Sequence, residues 1–372
     1  MKIVLVGRDM APSQAFAMLA EELKKAGHEV ALFAGYGKPL DVPLAEILSA
    51  IEAANCVVIG MSSSADLAEE EIAAARQATA ISVPFGLYVD SYGACAKEWF
   101  AEFREKADFL FVINEGEREK AGKIFSPTRI IISGNPTWEQ FTFPKFSRRE
   151  ARWAVGAADD EILILSPGCK SPVINILLWG TLLDALNEIK GFKFRIVFCY
   201  HPGDRTVSAA DPALIVKYKK ESGCDVDDLK LNLNIYGHLF DFSPVPVGIT
   251  PLGLNTADIL TGADLVVDWD TTVAIGAALM RIPVISAASI IGRRQKFFNT
   301  KMETLKVCEL KVSRLVRGPE EMERAIRELL TPEGAAAQKK IQEEFYPVSP
   351  DKGASVRIMA EALEVRIQEI KK

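Results

Sequence analysis

The stretch that decides the fold is Ala263–Ser286, which reads ADLVVDWDTTVAIGAALMRIPVIS. Its apolar run Leu265–Val267 predicts a buried strand, and its Ala-rich run Thr271–Met280 predicts a helix. A polar turn containing Asp268 and Asp270 separates the two, and a second apolar run follows the helix. A strand, a short turn, a helix and another strand form the repeating unit of a parallel α/β sheet.

The same alternation extends over most of the chain. Short β-branched runs alternate with predicted helices of about 10–15 residues in the first third of the chain, and one of these helices is predicted over Ala94–Lys106. The alternation stops in the aperiodic stretch 137–150 and then starts again. We therefore predict two doubly wound α/β domains, residues 1–145 and 146–350, followed by a C-terminal helix within 351–372. Ligands of open α/β sheets bind beyond the carboxyl ends of the strands, so the cleft between two such domains is the expected site.

The composition restricts the class of protein. Of the 372 residues, 49% are hydrophobic and 25% are charged, which is typical of a soluble globular chain, and the net charge of -6 provides no basic field for nucleic acid. No apolar run reaches the roughly 18 residues of a membrane span, and MKIVLVGRDM is not a signal peptide. Six cysteines without a CxxC pair predict no metal site. We expect a cytoplasmic protein with no transmembrane segment and no nucleic-acid partner.

The turn at Thr271 and Thr272 is suited to binding an anion. Either threonine can cap the following helix, whose free backbone N–H groups point toward the carboxyl edge of the sheet and can bind a phosphate. Gly276 lies one turn into this helix, where a ligand or another part of the backbone could approach closely. An ordinary helix cap and the tight packing of an Ala-rich helix explain the same residues, so both interpretations stand.

Four segments carry a resemblance to known proteins. The stretch quoted above is similar to the C-terminal domain of glycosyltransferases with the GT-B fold and of the related non-hydrolysing UDP-N-acetylglucosamine 2-epimerases. The other three resemble, in the same order, the end of the N-terminal domain, the linker helix with the first strand of the C-terminal domain, and that domain's second strand. They are IIISGNPTWEQF (Ile130–Phe141), SRREARWAVGAADDEILILSPGCK (Ser147–Lys170) and FRIVFCYHPGD (Phe194–Asp204).

The resemblance covers roughly residues 1–290 and has several implications. It implies two Rossmann-like domains facing across a cleft, with the final helix crossing back to the N-terminal domain. The C-terminal domain would hold a nucleotide sugar, with UDP as the expected nucleotide, and the N-terminal domain would hold an unknown acceptor. No metal and no separate cofactor are implied, and a homodimer is compatible with it.

Three departures from the family pattern affect the expected activity. Gly276 stands where many sugar-nucleotide members have a glutamate that holds the ribose hydroxyls, which means either a ligand-facing position that has been opened or a packing position. The N-terminal glycine loop is replaced by GRDMAPSQ, in which Arg8 and Ser13 could face the cleft, and the epimerases' His-Gly-Asp is replaced by IGMSSS at 59–64. The sequence therefore favours a metal-independent glycosyltransferase over the alternatives, a sugar-nucleotide epimerase or hydrolase and a non-catalytic binding protein of the same fold.

The candidate site residues follow predicted strands. Asp90 is placed to act as a base, although an aspartate in a loop is also a common helix cap. His201 could donate to a phosphate or transfer a proton, or form part of an ordinary His-Pro turn. The backbone N–H groups near Gly168, together with Lys170, could hold a diphosphate, or form a Pro-Gly turn with a solvated lysine.

The complete prediction for the site combines these residues with positions that are expected to contact the base of the nucleotide. The predicted catalytic residues are Asp90 and His201. The predicted nucleotide-binding residues are Gly168, Lys170, His201, Tyr236, His238, Asp270, Thr271 and Thr272.

Overall fold

The computed structural model shows a chain divided into two compact units. It describes residues 1–125, 130–169, 172–199, 243, 245–251, 254–269, 271–287 and 306–370. The first unit comprises Met1–Glu139 together with Ser349–Lys372, and the second comprises Gln140–Val348. The chain thus passes from the first unit to the second and returns for its final helix.

The first unit contains a six-stranded parallel sheet with the order β2-β1-β3-β4-β5-β6. Its strands are β1 (Lys2–Gly7), β2 (Glu29–Ala34), β3 (Cys56–Gly60), β4 (Phe85–Tyr88), β5 (Phe109–Val112) and β6 (Ile130–Ile132). Strand β3 is buried along its whole length because it lies inside the sheet and helices cover both faces.

The second unit contains another six-stranded parallel sheet, with the order β12-β11-β10-β7-β8-β9 among the described strands. They are β7 (Ile162–Pro167), β8 (Phe194–Cys199), β9 (Val247–Ile249), β10 (Leu265–Asp268), β11 (Val284–Ala287) and β12 (Arg314–Val316). Two six-stranded parallel sheets flanked by helices confirm the predicted fold class of two Rossmann-like doubly wound domains.

Helices lie between most of the consecutive strands in the described ranges. The described α-helices are α1 (Met10–Lys25), α2 (Leu44–Glu52), α3 (Glu69–Ala80), α4 (Glu115–Ala121), α5 (Glu139–Thr142), α6 (Arg148–Ala154), α7 (Pro172–Glu188), α8 (Thr256–Leu260), α9 (Thr272–Leu279), α10 (Lys306–Glu309), α11 (Pro319–Leu329), α12 (Pro332–Phe345) and α13 (Ala354–Ile370). None of the helices in the described ranges is long and apolar enough to cross a membrane.

The core of the first unit has one layer on each face of its sheet, because successive side chains of a strand point to opposite faces. Val57 and Ile59 belong to the layer beneath α2 and α3. Cys56 and Val58 belong to the other layer, which also contains Phe16 of α1 and Met359 of α13. The final helix therefore completes the core of the first unit.

One predicted helix is different in the structure. The stretch Ala94–Lys106 forms two short 3-10 segments, Ala94–Ala96 and Glu98–Phe103, instead of one α-helix. Lys97 lies between them with an extended ψ of 121°. Tertiary contacts hold both the start of this segment and its break, since the buried carboxylate of Glu117 on α4 accepts the backbone N–H of Gly93 at 2.8 Å and the side chain of Lys97 donates to the carbonyl of Met61.

Candidate functional site

Polar residues gather where three neighbouring strands of the first sheet end. Strand β3 lies between β1 and β4, with Val6 beside Ile59 and Gly60 beside Tyr88. The loops after these strands therefore meet at one edge of the sheet, which is where open α/β sheets bind their ligands. We call this group the edge cluster: Asp9, Ser62, Ser63, Glu71, Asp90 and Lys97.

Asp9 connects the loop after β1 with the loop after β3. Its Oδ2 accepts the backbone N–H of Ser63 at 2.7 Å, and its own N–H donates to the hydroxyl of Ser62 at 3.1 Å. Asp9 also occupies the N-cap position of α1, yet in the described part of the chain its side chain accepts no hydrogen bond from that helix. The carboxylate is thus directed along the sheet edge and not into the helix.

Glu71 joins the loop after β1 to the loop after β3 through hydrogen bonds. This side chain of α3 is fully buried, and it accepts hydrogen bonds from the N–H of Ser62 at 2.8 Å, the hydroxyl of Ser62 at 2.9 Å and the N–H of Arg8 at 3.0 Å. Burial raises the pKa of Glu71 to about 7, while these hydrogen bonds act in the opposite direction. Gly60 is required here, because a Cβ at that position would lie 2.6 Å from Oε1 of Glu71.

Asp90, the predicted base, lies just after β4. Its Oδ1 accepts the hydroxyl of Ser91 at 3.1 Å, and its carbonyl accepts the side-chain amide of Asn135 at 2.7 Å. Burial raises the pKa of Asp90, the positive charge of Lys97 lowers it, and the negative charge of Asp9 raises it. The net shift is upward, which makes this carboxylate a stronger proton acceptor than an exposed aspartate.

Lys97 supplies the positive charge of the edge cluster. Its Nζ donates to the carbonyl of Met61, in the loop after β3. The next aromatic side chain, Trp99, donates its Nε1–H to the carbonyl of Ser62 at 3.1 Å. The segment that follows β4 is therefore joined to the loop that follows β3, which places Asp90 and Lys97 in one charged group.

Two residues that could have faced a ligand are used inside the first unit. The guanidinium of Arg8 donates to Glu70 at 2.7 Å and to the carbonyl of Asp66 at 3.0 Å. The hydroxyl of Ser13 donates to the carbonyl of Gly7 at 2.8 Å and accepts the N–H of Tyr36 at 3.0 Å. Both side chains thus stabilise the loop after β1.

In the second unit, the turn between β10 and α9 is built around Asp268. Oδ2 of this buried carboxylate accepts both the N–H and the hydroxyl of Thr271, at 2.8 and 3.0 Å, and its Oδ1 accepts the hydroxyl of Ser286 at 2.7 Å. Thr271 is the N-cap residue of α9, but its side chain is turned toward Asp268. Thr272 is the first residue of the helix and is exposed.

Two glycines of the second unit have close neighbours in the protein. A Cβ at Gly276 would lie 2.6 Å from the ring of Phe141, so close packing accounts for this glycine. The N–H of Gly168 donates to the carbonyl of Cys199 at 2.8 Å, and a Cβ at Gly168 would lie 2.9 Å from the side chain of Asn175.

The remaining predicted site residues lie outside the described residues. They are Lys170, His201, Tyr236, His238 and Asp270. Their roles, like those of Asp90, Gly168, Thr271 and Thr272, stay predictions. Sequence reasoning did not single out Asp9, Glu71 or Lys97; the one available signal was a glycine, Gly60, at the end of an otherwise apolar strand.

Comparison with known proteins identifies the fold. No protein-family model matches the sequence, and no curated protein matches it. The UDP-GlcNAc 2-epimerase of Neisseria meningitidis, solved with UDP-GlcNAc bound, is 13% identical, with a TM-score of 0.58 over 98% of this chain and 100% of that chain. A putative UDP-N-acetylglucosamine 2-epimerase of Listeria monocytogenes is 15% identical, with a TM-score of 0.59 over 99% and 97%. The UDP-GlcNAc 2-epimerase of Methanocaldococcus jannaschii, solved with UDP-GlcNAc and UDP, is 14% identical, with a TM-score of 0.57 over 98% and 100%.

These similarities confirm the resemblance to the GT-B superfamily at the level of the fold, and they correct the expected activity. The preference for a glycosyltransferase is wrong, because the similar structures named above are UDP-GlcNAc 2-epimerases, which the alternative had included. The error came from weighing the missing His-Gly-Asp too heavily. That motif lies at a strand end, where residues change while the sheet and its order persist.

Proposed function

We propose that the protein binds a UDP-linked N-acetylhexosamine and inverts carbon 2 of its sugar. Two kinds of observation support this. The full length of the chain has the fold of structures described as UDP-GlcNAc 2-epimerases, two of them with UDP-GlcNAc bound. The edge cluster supplies carboxylates suited to proton transfer, and the observation that carries the proposal is Asp90, with its raised pKa, at the carboxyl edge of the first sheet.

The chemistry requires a base of this kind. Inverting a carbon that bears a hydrogen means removing that proton from one face and returning a proton to the other. A base is most effective when its pKa lies near the working pH, and burial moves Asp90 in that direction. We propose that Asp90 accepts the proton from carbon 2. The amide of Asn135 on its carbonyl and the hydroxyl of Ser91 on Oδ1 fix its position.

The nucleotide is proposed to bind to the second unit through the residues predicted from the sequence. The exposed Thr272, at the start of α9, supports this proposal, because the first turn of a helix favours an anion. Lys170 and His201 are the side chains that we propose to contact the phosphate groups of the nucleotide, the first through its charge and the second as a titratable donor.

Proton exchange with solvent tests the proposal directly. UDP-GlcNAc is incubated with the protein in D2O, and NMR and mass spectrometry follow both the carbon-2 epimer, UDP-ManNAc, and deuterium at carbon 2. We expect both to appear, and Asp90→Asn should lower the rate by 10²–10⁴-fold, the usual contribution of an acid–base group. Asp41→Asn, which removes the same charge from an exposed loop of the first unit, should leave the rate unchanged. Absence of both epimer and deuterium with the wild-type protein would refute the proposal.

A second candidate is a non-catalytic protein of the same fold. The observation that favours it is the ring of Phe141 beside Gly276, which leaves no space for the ribose-binding glutamate that the resemblance implies at that position. A folded protein that shows neither a rise in melting temperature with UDP-GlcNAc nor epimer or deuterium at carbon 2 would favour this candidate instead.

A further inference from the structure

A cavity of about 730 Å³ lies in the second unit, between β12, α11 and α12. Strand β12 stands at one end of the described sheet, and β11 separates it from β10, the strand that leads into the turn at Thr271. The described residues that line the cavity include none of the predicted nucleotide-binding residues. Its volume is in the range of sites that bind small organic molecules. We call it the basic cavity because of the charges on its rim.

The walls of the basic cavity are aliphatic. Each of the three elements contributes two apolar side chains, and these are Leu315 and Val316 of β12, Ala325 and Leu329 of α11, and Ala337 and Ile341 of α12. No aromatic residue is among the described lining residues, so these walls offer no ring on which the base of a nucleotide could stack. Such walls favour a hydrocarbon chain, which gains free energy when it leaves water.

Two buried polar side chains in the walls are already bonded to the protein. The hydroxyl of Ser313 shares a hydrogen bond with the hydroxyl of Ser286 at 2.7 Å. The amide of Gln338 accepts the backbone N–H of Val284 at 2.8 Å and donates to its carbonyl at 2.9 Å. Because these groups are occupied, the walls present mainly hydrocarbon to a ligand.

The rim of the basic cavity carries an excess of positive charge. Four cationic and two acidic side chains belong to it: Lys311, Arg314, Arg317, Arg324, Glu321 and Glu328. Each acid pairs with one cation, Glu328 with Arg314 at 3.2 Å and Glu321 with Arg317 at 3.7 Å.

Two cations of the rim are left over by this pairing. Lys311 and Arg324 are exposed and form no ion pair within the described ranges, where the Nε of Arg324 donates to the carbonyl of Glu320 at 3.4 Å. The chain as a whole has a net charge of -6, so this local excess is opposite in sign to the rest of the protein. An arginine and a lysine next to each other on one rim suit a carboxylate or phosphate group.

We propose that the basic cavity binds a free amphiphile, an aliphatic chain with a carboxylate or phosphate head group. The chain lies against the apolar side chains of the three walls, and the head group is bound by Lys311 and Arg324. This site goes beyond the proposed function, because it uses neither the edge cluster nor the nucleotide-binding residues.

Calorimetric titration of the full chain tests the ligand class. Dodecanoate and dodecyl phosphate are the two probes, each used below the concentration at which it forms micelles, and together they distinguish the two head groups. We expect at least one of them to bind. Acetate has the head group without the chain, and dodecyl maltoside has the chain with a neutral head group. Each should bind at least about tenfold more weakly, because one lacks the hydrophobic contribution and the other the charge interaction.

A pair of variants on α12 tests the place of the chain. Ala337→Leu fills the basic cavity and should lower the affinity for the bound probe by at least about tenfold. Ala336→Leu is the matched control, since Ala336 is exposed on the same helix and does not line the cavity, and it should bind as wild type does.

A second pair, on α11, tests the place of the head group. Arg324→Gln removes one cation of the rim and should lower the affinity by about fivefold, the effect of an ion pair near the surface. Arg327→Gln removes the same charge from an exposed position of the helix outside the cavity, and it should leave the affinity unchanged. Circular dichroism confirms that every variant is folded.

The outcomes are decisive in either direction. Wild-type protein that binds neither dodecanoate nor dodecyl phosphate would refute the proposal. Binding that persists unchanged in both Ala337→Leu and Arg324→Gln, or that falls equally in their two controls, would place the amphiphile elsewhere and would also refute it. None of these measurements uses UDP-GlcNAc, so the result is independent of whether the protein is an epimerase.

Discussion

Replacement of Glu71 by glutamine should change the dependence of stability on pH. The carboxylate of Glu71 is fully buried, and burial raises its pKa from the usual 4.5 to about 7. Glutamine has nearly the same shape but cannot ionise. Its side-chain NH2 would replace one oxygen that now accepts a backbone N–H, which costs about 1–3 kcal/mol at every pH.

The pH-dependent part of the free energy of unfolding follows from the linkage between folding and proton binding by Glu71. A carboxyl group whose pKa is raised in the folded state binds its proton more tightly there than in the unfolded chain. Its stabilisation is complete below pH 4.5 and is lost as the pH rises through about 7. At 1.36 kcal/mol per pKa unit, the rise from 4.5 to about 7 corresponds to about 3 kcal/mol. The wild-type free energy of unfolding should fall by that amount through Glu71 alone, and the variant should lack this fall.

The effect is measured by urea unfolding between pH 4.5 and 7.5, using the unfolding transition of the first unit. The informative quantity is the wild-type free energy of unfolding minus that of Glu71→Gln, because the contributions of other groups cancel in it. We expect this difference to decrease by about 3 kcal/mol across the range. Glu69→Gln is the matched control, since Glu69 is exposed on the same helix and should show a constant difference. A difference for Glu71→Gln that stays constant or grows with pH would refute this account of the buried carboxylate.

Three glycine substitutions test the packing. Gly60→Ala should lower the free energy of unfolding by about 1–3 kcal/mol, because its Cβ would lie 2.6 Å from Oε1 of Glu71. Gly180→Ala, in α7, where the added Cβ would meet nothing within 4 Å beyond the adjacent backbone of its own helix, should raise it by up to about 1 kcal/mol, so a loss at both positions would contradict the steric argument. Gly276→Ala should cost about 1–3 kcal/mol through contact with the Phe141 ring, as measured by urea unfolding, and Phe141→Leu should recover part of the loss. No recovery in the double variant would show that another neighbour limits this position.

The activity of the protein was harder to infer from sequence than its architecture. Missing motifs at strand ends argued for a transferase, although the similar structures named above are described as UDP-GlcNAc 2-epimerases. Such motifs report on a few exposed loop residues, whereas the hydrophobic pattern reports on many buried positions. The fold therefore stays recognisable where individual site residues have changed.

The sequence by itself determined the two parallel sheets and the strand ends that carry polar residues. Runs such as Cys56–Gly60 are apolar on both faces, and only a strand inside a helix-covered sheet buries both faces. Tertiary structure alone decided which of those strand ends meet. Asp9 reaches Ser63 only because β1 and β3 are neighbours, and Glu71 fixes the N–H of Arg8 across 63 positions of the chain. Periodicity depends on neighbours along the chain, whereas these contacts depend on the order of the strands, which no local pattern contains.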